Sequence, residues 1–420
     1  MTRLSRVAAM ACALALAAVL TACSAGPADL ELPAQADAAL SDDTQAQLQA
    51  AVDQAVAASG ATGAVVGVWI PWSGSWLAGV GTTTTTGPDV AATSTFKAGA
   101  VTRAMTCDAL YAVADRGLVE LTDPVGDYVA GIPGYEQLTL EELCDSTSGL
   151  QSYAPLLTAR MIANPARPWA PRELLAYGMS RGLSGEPGAT FSDADTGYVL
   201  LGQALEHATG ASMAEVYDEY VFTPMGLTVT ALPTTADVQL NGLWSPSAED
   251  GSVMCAEPTD VTALSPSAGY SASGVATNLT DLGRYTQAVA VGARSFDTDT
   301  RYENPLPVAA DGPSWFTADG GLYQAGTLLG QYGSMPGYLT AAFADRDTGM
   351  TVVVVLNNSR ASSALVRSLA WQLAAIASKA PAAEGETAPE AGLPWTADDM
   401  SAQVVAAAVC PLQAEEPADG

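Results

Sequence analysis

The chain has 420 residues, 49% of them hydrophobic and 15% charged, with 16 Lys and Arg against 45 Asp and Glu and a formal net charge of −29. Phosphate backbones and anionic lipid headgroups repel such a polyanion, which excludes nucleic-acid binding and electrostatic attachment to a membrane. One histidine, His207, in a helical run where it reads as a solvated surface residue, excludes a site of several imidazoles; no metal or cofactor is expected. The acidity also keeps an Ala-rich chain soluble, and need not mark a binding surface.

In chain order, Arg3 and Arg6 precede an apolar stretch from Val7 to Leu20, then Leu20-Thr21-Ala22-Cys23. This reads as a leader over residues 1–22: the apolar run is shorter than the ~20 residues that span a bilayer. The cysteine after small residues resembles the lipobox of bacterial lipoproteins, so Cys23 is expected to carry lipid on the extracytoplasmic face of the cell membrane. An ordinary secretory leader cut near Ala25 is the alternative, and both export the chain. Residues 23–42, rich in Ala, Pro and acids, are expected to form a flexible tether. Cys12 leaves with the leader, so Cys107, Cys144, Cys255 and Cys410 remain for two disulfides, with three possible connectivities.

From about Asp43, Leu48, Val52 and Val56 share a helical face that ends at Gly60. Gly63 to Ile70 reads as a buried strand, and Trp76 to Val80 as its hairpin partner across Trp72-Ser73-Gly74-Ser75. Ala100 to about Gly226 is mostly helical. Tyr338 to Ala344 and Met350 to Leu356 read as strands joined by Asp345-Arg346-Asp347-Thr348-Gly349, with a helix from about Ser362 to Ser378 after them. The expected class is α/β in the α+β sense: an antiparallel sheet flanked by terminal helices, with an all-α subdomain inserted. The main domain is expected over 43–379. In the 380–420 tail, low-complexity residues to Pro394 read as disordered and Asp398 to Val409 as a short helix pinned through Cys410.

The stretch Phe96-Lys97-Ala98-Gly99-Ala100-Val101-Thr102-Arg103, continuing to Gly117-Leu118-Val119-Glu120-Leu121-Thr122-Asp123-Pro124-Val125, resembles the nucleophile helix of the penicillin-recognising serine β-lactamase and D-Ala-D-Ala carboxypeptidase family. It is most similar to the class C-like branch. Thr147-Ser148-Gly149-Leu150, Pro187-Gly188 before Phe191, Thr196-Gly197-Tyr198 through Gly202, Phe222-Thr223-Pro224-Met225-Gly226 and Gly333-Ser334-Met335-Pro336-Gly337 extend the likeness over roughly residues 43 to 379, in order. The resemblance implies the family fold and a Cys107–Cys144 bridge.

It also implies a site whose chemistry is gone. The family's attacking serine stands where this chain has Ala100, and its lysine, one helical turn later on the same face, is Arg103, which stays protonated. The Tyr-x-Asn or Ser-x-Asn element corresponds to Asp193-Ala194-Asp195, and the His-x-Gly or Lys-Thr-Gly element to Gln331-Tyr332-Gly333. Backbone oxyanion donors survive side-chain replacement and would be Ala100 and Ser334. Arg103 between two carboxylates is expected to lock the former site; the alternative is that Asp193 and Asp195 bind a cation or amine, or act as acid and base.

Ser94-Thr95-Phe96-Lys97 spells a serine–lysine motif six residues upstream, but the glycine ending the helix, Gly117, lies seventeen residues after Ala100 and twenty-three after Ser94. Tyr302-Glu303-Asn304 is a chance Tyr-x-Asn in a polar loop. The expected role is that of a membrane-anchored pseudoenzyme binding a peptidoglycan peptide or an envelope protein through Ala100, Arg103, Asp193, Asp195, Gln331, Gly333 and Ser334. The alternatives are an active serine hydrolase using Ser94 and Lys97, and a purely structural envelope lipoprotein with a filled cleft.

Overall fold

The structure, a computed structural model, describes residues 30–390 and 392–412, so the leader and Cys23 lie outside the described residues. Helix α1 spans Asp42–Ser59: Ser41 Oγ accepts from the Thr44 N–H, Asp42 and Asp43 oppose the dipole in the first turn, and Gly60 closes the helix at φ +71. Strands β1 (Gly63–Ile70) and β2 (Gly74–Gly81) form the first hairpin. The inserted block contains α2 (Thr102–Asp115), α3 (Leu140–Cys144), α4 (Ala154–Ala163), α5 (Pro171–Met179), α6 (Asp195–Thr209) and α7 (Leu279–Ala290), besides shorter turns. The chain then returns through β3 (Leu306–Pro307), β4 (Phe316–Asp319), β5 (Leu322–Ala325), β6 (Leu328–Met335), β7 (Tyr338–Asp345) and β8 (Thr351–Leu356), and ends in α8 (Ser363–Ala377) and α9 (Ala397–Ala406). The strands make one antiparallel sheet in the order β2-β1-β8-β7-β6-β5-β4-β3, so the two ends of the sequence meet at β1 and β8.

The side-chain alternation of a strand divides the apolar residues between two cores. Val352, Val354 and Val66 pack with Leu48 of α1 and Leu369 of α8 on one side. Val353, Val355 and Val65 pack with Leu282 and Tyr285 of α7 and with α2 on the other. Both faces of β8 are therefore covered, which is why its sequence is an unbroken apolar run. Full burial of each such side chain contributes about 1.5–3 kcal/mol.

Helix α2 is buried from Thr102 to Val113 and carries Asp108 into the interior. Burial raises the cost of that charge, but Arg294 and Arg301 outweigh it and hold the carboxyl below its ordinary range. Arg301 Nη1 donates to Asp108 at 2.7 Å, Tyr285 Oη donates to it at 2.9 Å, and Arg294 pairs with it and with Asp297. Disulfides Cys107–Cys144 and Cys255–Cys410 are both formed, the first tying α2 to α3 and the second tying the end of the described chain to the loop at Cys255.

Two expectations need correction. The tether, from Leu30 on, lies against the body: the Ala36 N–H donates to Pro71 O and Leu40 is buried, because its leucines reach apolar surface that a purely polar linker would leave exposed. The low-complexity stretch before α9 has no regular element, yet the Ala383 N–H donates to Trp72 O, Trp72 Nε1 donates to Ala380 O, and Trp395 stacks on Trp371.

Gly321, at the β4–β5 turn with φ +79, sits on the first disulfide: a Cβ there would lie 2.3 Å from Cys107 Sγ. Gly321→Ala therefore adds backbone strain and overpacking at once, and should lower unfolding free energy by about 2–4 kcal/mol in chemical denaturation. A loss below about 0.5 kcal/mol would show that the turn does not need glycine.

Candidate functional site

Gly99, at φ +55, turns the chain into a single 3-10 turn, Gly99–Val101, that feeds α2. This puts Ala100 and Arg103 at the tip of α2, one helical turn apart and both buried. Strand β6 pairs with β5 only from Leu328 to Gly330, so beyond that point one edge of β6 is free of β5 and faces the Gly99–Val101 turn. There Gly333 meets Ala100: a Cβ on Gly333 would stand 2.3 Å from Ala100 Cβ. The methyl group thus fills the space between the two backbones. Ser334 follows with its side chain exposed.

Arg103 extends toward the start of α6, donating from Nη1 to Asp193 and from Nη2 to Asp195. Its side chain is 6% exposed, against 41% for Asp193 and 14% for Asp195. Burial opposes the guanidinium charge, but the carboxylates of Asp193 and then Asp195 outweigh it and hold Arg103 protonated well above its ordinary value. Asp195 is the first residue of α6, where the helix N-terminus favours a negative charge. Ser152 Oγ donates to its second oxygen at 2.5 Å, and Tyr198 places its ring 5.2 Å from the Arg103 guanidinium carbon. Tyr198 is itself fixed, donating from Oη to Cys144 O at 2.9 Å and bonding Ser146 Oγ.

Gln331 is turned onto the backbone: Nε2 donates to Gly321 O at 3.3 Å and Oε1 accepts from the Tyr332 N–H at 2.9 Å. The space left among Asp193, Tyr198, Phe191, Gln331 and the β4–β5 turn is about 10 Å³, room for one water at most.

The structure thus brings Ala100, Arg103, Asp193, Asp195, Gln331, Gly333 and Ser334 into one neighbourhood, but it does not assemble the upstream serine–lysine pair. Lys97 lies in a two-residue strand, Phe96–Lys97, and its Nζ donates to Thr262 O at 2.9 Å and Leu264 O at 2.6 Å. Burial draws that ammonium down to about 8 against the pull of Asp260. Ser94 is in the preceding loop, so the three-residue spacing does not stack the pair as a helix would. His207 is exposed, edge-on to Tyr128. The Asn304 N–H donates to Asp319. Ser152 was not foreseen, because nothing in the sequence around it distinguishes it from a loop serine.

A family model described as Beta-lactamase matches residues 48–376. The chain is 28% identical over 139 residues to a penicillin-binding protein of Bacillus subtilis (strain 168), covering 33% of this chain and 30% of that one. It is 28% identical over 150 residues to the D-alanyl-D-alanine-carboxypeptidase/endopeptidase AmpH of Escherichia coli (strain K12), covering 34% and 38%. These alignments span about a third of the length of the curated relatives. Among solved structures, a D-stereospecific amidohydrolase from Streptomyces sp. superposes with a TM-score of 0.66 at 22% identity over 76% of this chain and 95% of that one. An octameric penicillin-binding protein homologue from Pyrococcus abyssi gives 0.67 at 19% identity over 83% and 79%. At these identities the two superpositions establish the fold alone.

Removing Arg103 leaves Asp195 mostly buried without its cation. Arg103→Ala should cost about 3 kcal/mol, the low end for a broken buried pair because Asp193 is part-exposed. Calorimetric melting checks this, and an unchanged melting temperature would remove the structural role of the lock.

Proposed function

The chain belongs to the beta-lactamase family, and on that premise we propose that it is a catalytically silent member, a pseudoenzyme of the cell envelope whose cleft has been turned into a structural ion cluster. The observation that carries this reading is the Arg103 guanidinium fork closed on Asp193 and Asp195, directly beside a methyl group at position 100. Acyl transfer needs a nucleophile, a group that takes its proton, and room for an acyl carbonyl. Ala100 offers no lone pair. Arg103 gives up no proton at physiological pH. Ala100 packs against Gly333, and the space among Asp193, Tyr198 and Gln331 is about 10 Å³.

The same closure favours a structural or protein-binding role on the outer surface over capture of a peptidoglycan peptide inside the cleft, because a peptide would first have to break the lock. Export is part of the proposal: the leader ahead of Cys23, the lipobox-like residues and two disulfides all suit an oxidising compartment at the extracytoplasmic face of the cell membrane, with lipid on Cys23. Among the described residues no helix is long and apolar enough to cross a membrane.

Incubating the purified chain with a fluorescent penicillin and with a fluorophosphonate, followed by intact-mass measurement, should give no adduct with either reagent. A stoichiometric adduct would overturn the proposal, and peptide mapping to Ser94 or Ser152 would identify the nucleophile in its place.

A further inference from the structure

The two disulfides stand in unlike surroundings. Cys107 and Cys144 are 0% exposed, and Gly321 is folded down onto their sulfurs. Cys255 is part-exposed, and it and Cys410 both line a cavity of about 940 Å³ that opens between α1, α8, α9 and the loop at Cys255. Exchange with an external thiol depends on access to a sulfur, so the second bond is open to it as the fold stands. The first is reached only after the β4–β5 turn lifts.

The second bond also ties down a segment that the body grips unevenly. That segment enters at Trp395, which is buried, stacks on Trp371 and donates from Nε1 to Trp371 O at 2.9 Å. Met400 and Val404 bury the inner face of α9, Ser401 Oγ reaches Gln54 on α1 at 2.9 Å, and Ser368 Oγ on α8 reaches Gln403 at 3.1 Å. Past α9 the grip thins. Val409 and Cys410 donate their N–H groups to a single carbonyl, Ala58 O, at 2.9 and 3.3 Å, and residues 407–409 are only part-buried. The bond to Cys255, 155 residues away in sequence, is the covalent tie at that end. It is seated on Gly60 at the close of α1, where a Cβ would lie 2.5 Å from Cys410 Sγ.

We propose that Cys255–Cys410 is a thiol–disulfide exchange site whose co-substrate is a dithiol, and that its reduction unlatches residues 407–412 from α1. One thiolate of the dithiol attacks the sulfur of Cys255, the more exposed cysteine. The S–S bond breaks, and Cys410 Sγ leaves with the electron pair and takes up a proton. The second thiolate then attacks its partner sulfur in the mixed disulfide, and Cys255 Sγ leaves and is protonated in turn. The dithiol becomes a disulfide, two electrons pass to the protein, and two protein thiols remain. The freed end swings about the Trp395 anchor and widens the cavity between α1 and α9. This latch lies on the α1 and α8 side of the sheet, away from α2, so exchange leaves Arg103 paired and stands whether or not the chain hydrolyses anything.

Timed exposure of the full chain to dithiothreitol without denaturant, quenched with iodoacetamide and mapped by peptide mass, tests this. The expected result is alkylation of Cys255 and Cys410 at least tenfold sooner than of Cys107 and Cys144. Once that bond is reduced, amide hydrogen exchange over residues 407–412 should be at least tenfold faster, with protection along α8 kept. A Cys255→Ser, Cys410→Ser variant, checked for folding by its melting curve, should show the same fast exchange with no reductant present. Equal rates at the two bonds, or earlier reduction of Cys107–Cys144, overturn the exchange site. Unchanged hydrogen exchange over 407–412 in the reduced chain overturns the latch.

Discussion

A guanidinium that has lost its water must be met by carboxylates, and the surroundings of Arg103 follow from that constraint. Leaving the charge unpaired at that depth would cost several kcal/mol. Asp193 and Asp195 meet it, but only because α6 begins at Asp195 and presents both acids on the approach to its N-terminus. Ser152 and Tyr198 then restrict where those groups sit. A neutral, mobile residue at position 103 would make no such demand. The Arg103 fork at the tip of α2 is therefore met by both acids.

That arrangement is braced from behind. Asp108, five residues beyond Arg103 on α2 and on another face of it, is held by Arg294, Arg301 and Tyr285, and the neighbouring Cys107 is bonded to Cys144. Helix α2 is thereby fixed at its middle while its tip carries the lock. The chain from Cys144 then runs straight into Asp145 and the left-handed Ser146, whose hydroxyl bonds Tyr198 beneath Arg103. The first disulfide, the left-handed serine and the lock are consecutive parts of one wall.

The terminal helices and the shared sheet were legible in the sequence because their apolar periods are unambiguous, and Gly60 and Ser362 mark helix boundaries by their own chemistry. The positions of the lock were legible from motif order, since Ala100, Arg103, Asp193 and Asp195 stand where a recognisable pattern places other residues. Strands β3, β4 and β5 are two to four residues long, too short to show a period, and were not separated from loop. The unlike surroundings of the two disulfides were invisible for a different reason. Four cysteines imply two bridges, but only the folded chain sets Cys107–Cys144 beneath Gly321 and Cys255–Cys410 in a cavity wall. Lys97, kept in the sequence only as the alternative base to Ser94, has helical spacing from it, but the backbone there enters a strand.

The central claim is that Arg103 and its two acids stabilise the fold as a unit, and a thermodynamic cycle tests it most directly. Unfolding free energies would be measured for the unaltered chain, Arg103→Met, Asp193→Asn with Asp195→Asn, and all three substitutions together. The account predicts strong coupling: the triple variant should recover about 2 kcal/mol or more relative to Arg103→Met alone, because it no longer buries unpaired carboxylates. Additive losses, with coupling within about 0.5 kcal/mol of zero, would contradict it and leave the three residues as neighbours without a shared role.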